Sequence, residues 1–233
     1  MSLYLLINLL SISVPFLVSF DKQIQLMKDW KSIIVSLFLA AIPFIVWDIY
    51  FTEQGFSGFN PTYLLGVYFF NLPIEEILFF VCIPFSCLFT QISILKLRAF
   101  KLSESITTTI GILIIIICLF FLIFNIKQAY TSWVMLSVIL THGFAIRYYK
   151  ELLSHFYITF LFMLIPFIMV NGVLTGFGIP EEVVWYSNPQ NSGIRFFTIP
   201  MEYFFYAYSL TLLNLMLFKF FSKNQCMEYP LKS

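Results

Sequence analysis

Long apolar blocks parted by short polar stretches set the pattern of this chain. The blocks fall at roughly 3–20, 32–51, 74–95, 105–126, 129–146, 156–174 and 198–221. A helix needs about 20 mostly apolar residues to cross hydrocarbon. The pattern therefore predicts seven transmembrane helices in an all-α integral membrane fold. Pro43 and Pro166 fall inside the second and sixth blocks, where helices in lipid tolerate a kink. The apolar start, Met1 to Phe20, has no basic leader and no clear small-residue cleavage site, so it is read as a retained helix.

The basic residues orient this pattern. Seven spans put Lys22, Lys28, Lys31, Lys96, Arg98, Lys101, Arg147, Lys150, Lys219, Lys223 and Lys232 on one side. Only Lys127 and Arg195 remain for the other. Lys and Arg collect on the cytoplasmic side, so the N-terminus is predicted outside and the C-terminus inside. The expected location is multi-pass in a membrane, the cytoplasmic membrane if the chain is prokaryotic.

Composition agrees with the pattern. The chain is 60% hydrophobic and 11% charged over 233 residues, whereas soluble domains carry about 25% charged residues. A net charge of +1 points to no nucleic-acid partner. Cys82, Cys87, Cys118 and Cys226 form no CxxC pair and read as small buried hydrophobes. His142 and His155 belong to no cluster with metal-ligand spacing, so no metal is expected. His142, inside the fifth block, reads as a helix–helix hydrogen-bond partner, and His155 as a residue of the cytoplasmic boundary.

The chain also repeats itself. "IPFI" at 42–45 returns at 165–168, an offset of 123. Asp48 then matches Asn171, and Thr52 matches Thr175. A glycine-containing loop follows each copy, and "LPIE" at 72–75 matches "IPME" at 199–202, an offset of 127. The predicted organisation is a first three-helix repeat over 1–95, a linking loop and fourth helix over 96–127, a second three-helix repeat over 128–221, and a cytoplasmic tail over 222–233. Three spans and one linking span make an even number, so the repeats run parallel about an axis near the membrane normal. Repeats of this kind place sites at their interface in transporters.

Acids are scarce and concentrated. Glu53, Glu181 and Glu182 read as solvated loop residues. Asp48, Glu75, Glu76 and Glu202 lie in or beside apolar blocks, where a carboxylate costs roughly 2.5–3.5 kcal/mol on insertion scales. Such residues are functional candidates that face the bundle interior. Proline suits the first helical position. With Pro73 and Pro200 there, Glu75 and Glu202 fall in the first turn, where they would also complement the helix dipole. Dipole capping leaves Glu76 unexplained. Phe69, Phe70, Phe79 and Phe80 flank the first motif, and Tyr203, Phe204, Phe205, Tyr206 and Tyr208 follow the second. Aromatic faces attract cations, and they also serve lipid contact and packing. Protonatable acids among aromatic rings in lipid fit the making and guiding of a carbocation on a hydrocarbon.

The seven apolar spans, the paired repeats and the motifs "PIEE" (73–76) and "PMEY" (200–203) resemble the heterodimer-type lycopene cyclases, with both subunits fused in one chain. The resemblance implies cyclisation of the ψ ends of lycopene to β rings, through γ-carotene to β-carotene, without redox change and without a flavin or other cofactor. No GxGxxG stands between a strand and a helix, and no strand is expected. In the reaction that the resemblance implies, an acid protonates C2 of the end group, the C1 cation closes on C5–C6, and a base removes the C6 proton. Carried over residue by residue, the resemblance makes Glu75, Glu76 and Glu202 the acid–base set, with Tyr203 in place of a second acid in the second half. Asp48, Asn71, Pro73, Asn171, Pro200, Tyr203, Phe79 and Phe205 are supporting or substrate-binding candidates; Asn71 is read as a helix cap. The implied partners are lycopene or a related carotenoid within the bilayer and the membrane lipids themselves. A homo-oligomer is left open.

Two other classes fit parts of the pattern. One is a cyclase of another carotenoid, such as an elongated C50 polyene. The other is a non-enzymatic carotenoid or proton-handling membrane protein, although transport favours acids spread across the membrane depth. A retinal-type Schiff base lacks a mid-membrane lysine in the last block, where Lys219 lies near the end.

Overall fold

The computed structural model describes residues 2–98 and 100–222. All of the expected tail but Ser222, including Lys223, Cys226 and Lys232, lies outside the described residues. Among the described residues seven long helices form: α1 (Leu3–Val18), α2 (Trp30–Glu53), α3 (Ile74–Leu97), α4 (Glu104–Phe124), α5 (Ala129–Tyr148), α6 (Lys150–Leu174) and α7 (Met201–Phe221). Hydroxyl caps start two of them: Ser2 accepts the Leu5 N–H at 3.2 Å, and Ser103 accepts the Ile106 N–H at 3.3 Å. Pro43 and Pro166 lie inside α2 and α6, as the apolar blocks implied. Cys82, Cys87 and Cys118 are free thiols.

Among the described residues six helical stretches are long and apolar enough to cross a membrane, the first running from a 3-10 turn at Leu26 through α2. The helix α1 has 16 residues, about 24 Å at 1.5 Å per residue, and falls short of the ~30 Å hydrocarbon layer. Two boundaries move from their expected places. The helix α6 begins at Lys150 instead of 156, because Leu152 and Leu153 are fully buried and extend its packing surface. The helix α7 begins at Met201 instead of 198, because Ile199 and Pro200 are held in extended pairing.

Among the described residues three small antiparallel ribbons correct the expectation of no strands. They comprise β1 (Ser57–Phe59) with β4 (Val184–Tyr186), β2 (Tyr68–Phe69) with β3 (Leu72–Pro73), and β5 (Arg195–Phe196) with β6 (Ile199–Pro200). Each loop must satisfy backbone groups close to an apolar bundle, and short ribbons do this locally.

These loops repeat with a constant offset of 127. Tyr68↔Pro73 becomes Arg195↔Pro200, and Phe69↔Leu72 becomes Phe196↔Ile199. The Ile74 N–H to Val67 bond of 2.9 Å becomes Met201 N–H to Ile194 at 2.9 Å. Phe70 and Phe197, at the two hairpin tips, share φ = 54°, a left-handed value that non-glycine residues seldom adopt. The ribbon β1–β4 joins the copies, pairing Gly58 with its own counterpart Trp185. A pseudo-two-fold relation of the loops therefore passes between these two residues. A side chain at Gly58 would run into the Trp185 ring, so glycine is needed at this close approach.

The helices interlock across the halves. The helix α1 packs on α3, and α5 on α7; α2 crosses to pack on α7, and α6 crosses to α3. The linking α4 lies against α5 and α6. The central pair, α3 and α7, carries much of the buried surface, while α4 turns Ile112, Leu113, Ile116, Phe120 and Phe124 outward. An apolar surface of this extent fits lipid contact.

Candidate active site

The first turns of α3 and α7 carry the motif acids. Pro73 is extended (φ −65°, ψ 149°) and serves as the N-cap of α3, with Pro200 in the same place before α7. The prolines thus sit one position earlier than expected, because hairpin pairing holds them out of the helix. Glu75 and Glu202 become second residues of their helices instead of third.

These two acids have matching surroundings. The Glu75 Oε1 accepts the Leu65 N–H at 2.6 Å and the Ser2 hydroxyl at 2.7 Å. The Glu202 Oε1 accepts the Ser192 N–H at 2.6 Å and the Thr131 hydroxyl at 2.6 Å. Each carboxyl ties the loop ten residues upstream and the first helix of its half to the start of the central helix. Each keeps a second oxygen, Oε2, buried without a partner in the structure. Hydrogen bonds to charged groups contribute about 1.5–3 kcal/mol each, so both acids act as struts.

Glu76 has no such copy. Its Oε2 accepts the Tyr4 hydroxyl at 2.5 Å. Its carboxyl also lies within hydrogen-bonding reach of the Asp48 carboxyl, from α2. A hydrogen bond between two carboxyl groups requires a proton on one of them. Tyr130, Tyr186, Tyr203 and Tyr206 gather within electrostatic reach of both acids. Tyr203 bonds Tyr186 hydroxyl to hydroxyl, and their rings meet edge-on at 5.0 Å. Burial foremost pushes the Tyr186 phenol well above its ordinary range, so it remains protonated. Among the described residues the two ion pairs, Lys101–Glu151 and Lys150–Glu104, lie at the other end of the bundle.

The structure therefore brings Asp48 and Glu76 together and gives Glu75 and Glu202 different partners. Asn71 does not cap α3; its amide donates to the Ile49 carbonyl at 2.8 Å and anchors the hairpin to α2. Thr198, 127 residues on, donates to the Gly172 carbonyl in the matching place. Phe79 and Tyr203 border a cavity between α1, α3, α6 and α7, and Asn171 lines it too. Phe205 points elsewhere, against Phe121 of α4 at 6.2 Å. Tyr208 likewise leaves the site: its hydroxyl meets His142 Nδ1 at 2.7 Å, while Tyr157 approaches Nε2 at 3.3 Å. These contacts agree with a helix–helix role for His142. His155 Nδ1 meets the Phe100 carbonyl at 2.5 Å, where a neutral ring would donate.

Sequence reasoning missed Tyr4, Tyr130 and Tyr186, and named Tyr206 only among the aromatic residues after the second motif. A signal for two of them existed: Tyr4 and Tyr130 are each the second residue of the first helix in their half. Among the described residues no group of three acids, histidines or cysteines could hold a metal.

A tandem-repeat α-helical bundle with a carboxyl pair set among tyrosines is thus the class that fold and site define. A family model described as lycopene cyclase matches residues 1–94 and 127–221, most of the chain. The chain belongs to the lycopene cyclase family; it is a membrane protein with a role in carotenoid cyclisation. No curated protein and no solved structure matches it.

Proposed function

We propose that the protein is a lycopene β-cyclase that converts ψ end groups to β rings, through γ-carotene to β-carotene, as a redox-neutral isomerisation. The observation that carries this reading is the contact between the half-buried Asp48 carboxyl and the buried Glu76 carboxyl, which also accepts the Tyr4 hydroxyl. Two neighbouring carboxyls that share a proton hold an acid and a base in one place.

The steps balance within that pair. The protonated carboxyl gives its proton to C2 of the end group, which leaves a cation at C1. The C5=C6 π electrons form the C1–C6 bond, and the charge moves to C5. Loss of the C6 proton to a carboxylate of the pair restores the C5=C6 double bond and the original proton count. Tyr4 donates to Glu76 and so stabilises the carboxylate while the substrate holds the proton. The ring faces of Phe79, Tyr203 and Tyr206 supply favourable surfaces for the migrating charge. Glu75 and Glu202 hold the first turns of α3 and α7 in position.

The same reading takes α1 as a seventh span, the N-terminus outside, the C-terminus cytoplasmic, and the two halves as parallel repeats in a multi-pass protein. Lycopene would enter from the bilayer. The two matched segments leave out 95–126, which contains α4; this supports a fusion of two cyclase subunits through a linking helix. The proposed organisation keeps a first repeat over 1–95 and a second over 128–221.

Expression in cells that accumulate lycopene, followed by pigment chromatography, tests the proposal. β-Carotene is the expected product. Unchanged lycopene beside well-expressed protein would refute it, and an ε-ring product would refute the ring type alone.

A further inference from the structure

The pseudo-symmetric halves contain two equivalent clefts, one between α2 and α7 and one between α6 and α3. The first is closed. Ala40, Ala41 and Phe44 of α2 are buried against Leu210 of α7, with Leu213 and Leu217 packed alongside. The second holds a cavity of about 280 Å³ between α1, α3, α6 and α7.

The sequence explains the difference position by position. With the offset of 123, Ala40 and Ala41 correspond to Met163 and Leu164, so bulk replaces alanine and keeps α6 away. With the offset of 127, Leu213 and Leu217 of α7 correspond to Ser86 and Thr90 of α3, and Phe80 corresponds to Ala207. The facing helices are therefore trimmed where α6 stands off. A cavity follows because neither side fills the space.

Its chemistry is that of a hydrocarbon site. The Ser11, Ser86 and Thr90 hydroxyls all donate to backbone carbonyls, so they offer little to a ligand. From Phe79 to Thr90 the wall of α3 runs about 16 Å, at 1.5 Å per residue. One end is polar. There Asn171 is fully buried, and its Oδ1 has no partner in the structure. Tyr203 and Tyr206 line the cavity and stand within electrostatic reach of Glu76 and Asp48.

We infer that this α3–α6 cleft is the single polyene chamber of the chain, taking one end of the hydrocarbon toward the Asp48–Glu76 pair, while its closed α2–α7 counterpart takes none. The inference rests on the cyclase reading for the identity of the hydrocarbon. It adds that the two ends of one polyene react in turn, with the one-ring product leaving and re-entering reversed.

The test is binding and turnover measured on the full chain purified from lycopene-accumulating cells. The variants are Ser86→Leu with Thr90→Leu, which give α3 the leucines of α7, and Ala207→Phe, which fills the space from α7. Wild type should retain about one polyene per chain and release one-ring before two-ring product. A filled variant should retain less than a tenth of that polyene, with an unchanged or raised Tm. Equal retention by a folded filled variant would make the cavity a lipid site and overturn the inference, as would two polyenes per wild-type chain or none. Cavity-dependent polyene retention without any ring product would uphold the chamber and refute the cyclase reading.

Discussion

The two halves agree closely in their loops and disagree around one pair of acids. In each half a glutamate after proline ties the loop and the first helix to the central helix, with bonds of 2.6–2.7 Å. At the next residue the halves part: Glu76 stands opposite Tyr203, and Asp48 stands opposite Asn171. Repetition builds the frame twice, and the two substitutions leave the carboxyl pair in one half only. The same inequality shapes the helices, where alanines close one cleft and larger residues hold the other open.

Making the halves alike should break the chemistry first. Glu76→Tyr, which copies Tyr203, should lower cyclisation by about 10³-fold, within the range of an acid–base group. Product formation in membranes at matched protein level measures it. Removing the struts should cost stability in equal measure on both sides. Glu75→Ala and Glu202→Ala each lose two hydrogen bonds to a carboxylate, about 3 kcal/mol, and their unfolding transitions in detergent should shift together. Asp48→Asn, which copies Asn171, keeps the shape and removes one acid; turnover should fall about 10²-fold with little change in Tm. Tyr4→Phe removes a single donor to Glu76, and turnover should fall about tenfold, or 1.4 kcal/mol.

Much of this frame was legible in the sequence. Apolar blocks of span length marked the helices, since a chain in hydrocarbon must satisfy its backbone within helices or a closed barrel. The offset of 127 between "LPIE" and "IPME" already contained the register of the hairpins. The starts of α3 and α7 were less visible: pairing of Phe69 with Leu72 and of Phe196 with Ile199 holds each proline in extended backbone. Asn71 was misread for a related reason, because its partner, the Ile49 carbonyl, lies 22 residues away. Motif reading grouped Glu75, Glu76 and Glu202 because they fill the matching proline-led motifs "PIEE" and "PMEY" of the two halves. Successive residues on a helix point about 100° apart, so Glu75 and Glu76 reach different neighbours. Tyr4 is distant in sequence and reaches Glu76 only through the packing of α1 on α3.

In the proposed mechanism Glu76 belongs to the chemistry and Glu202 to the frame. Glutamine retains the oxygen that each strut uses and loses the exchangeable carboxyl proton. The direct measurement is the single-turnover rate of lycopene cyclisation for Glu76→Gln and Glu202→Gln in the same membranes, with folding checked by Tm. The expected result is a loss of at least about 10²-fold for Glu76→Gln and a rate within about threefold of wild type for Glu202→Gln, since its bonds survive. A folded Glu202→Gln as inactive as Glu76→Gln would contradict it.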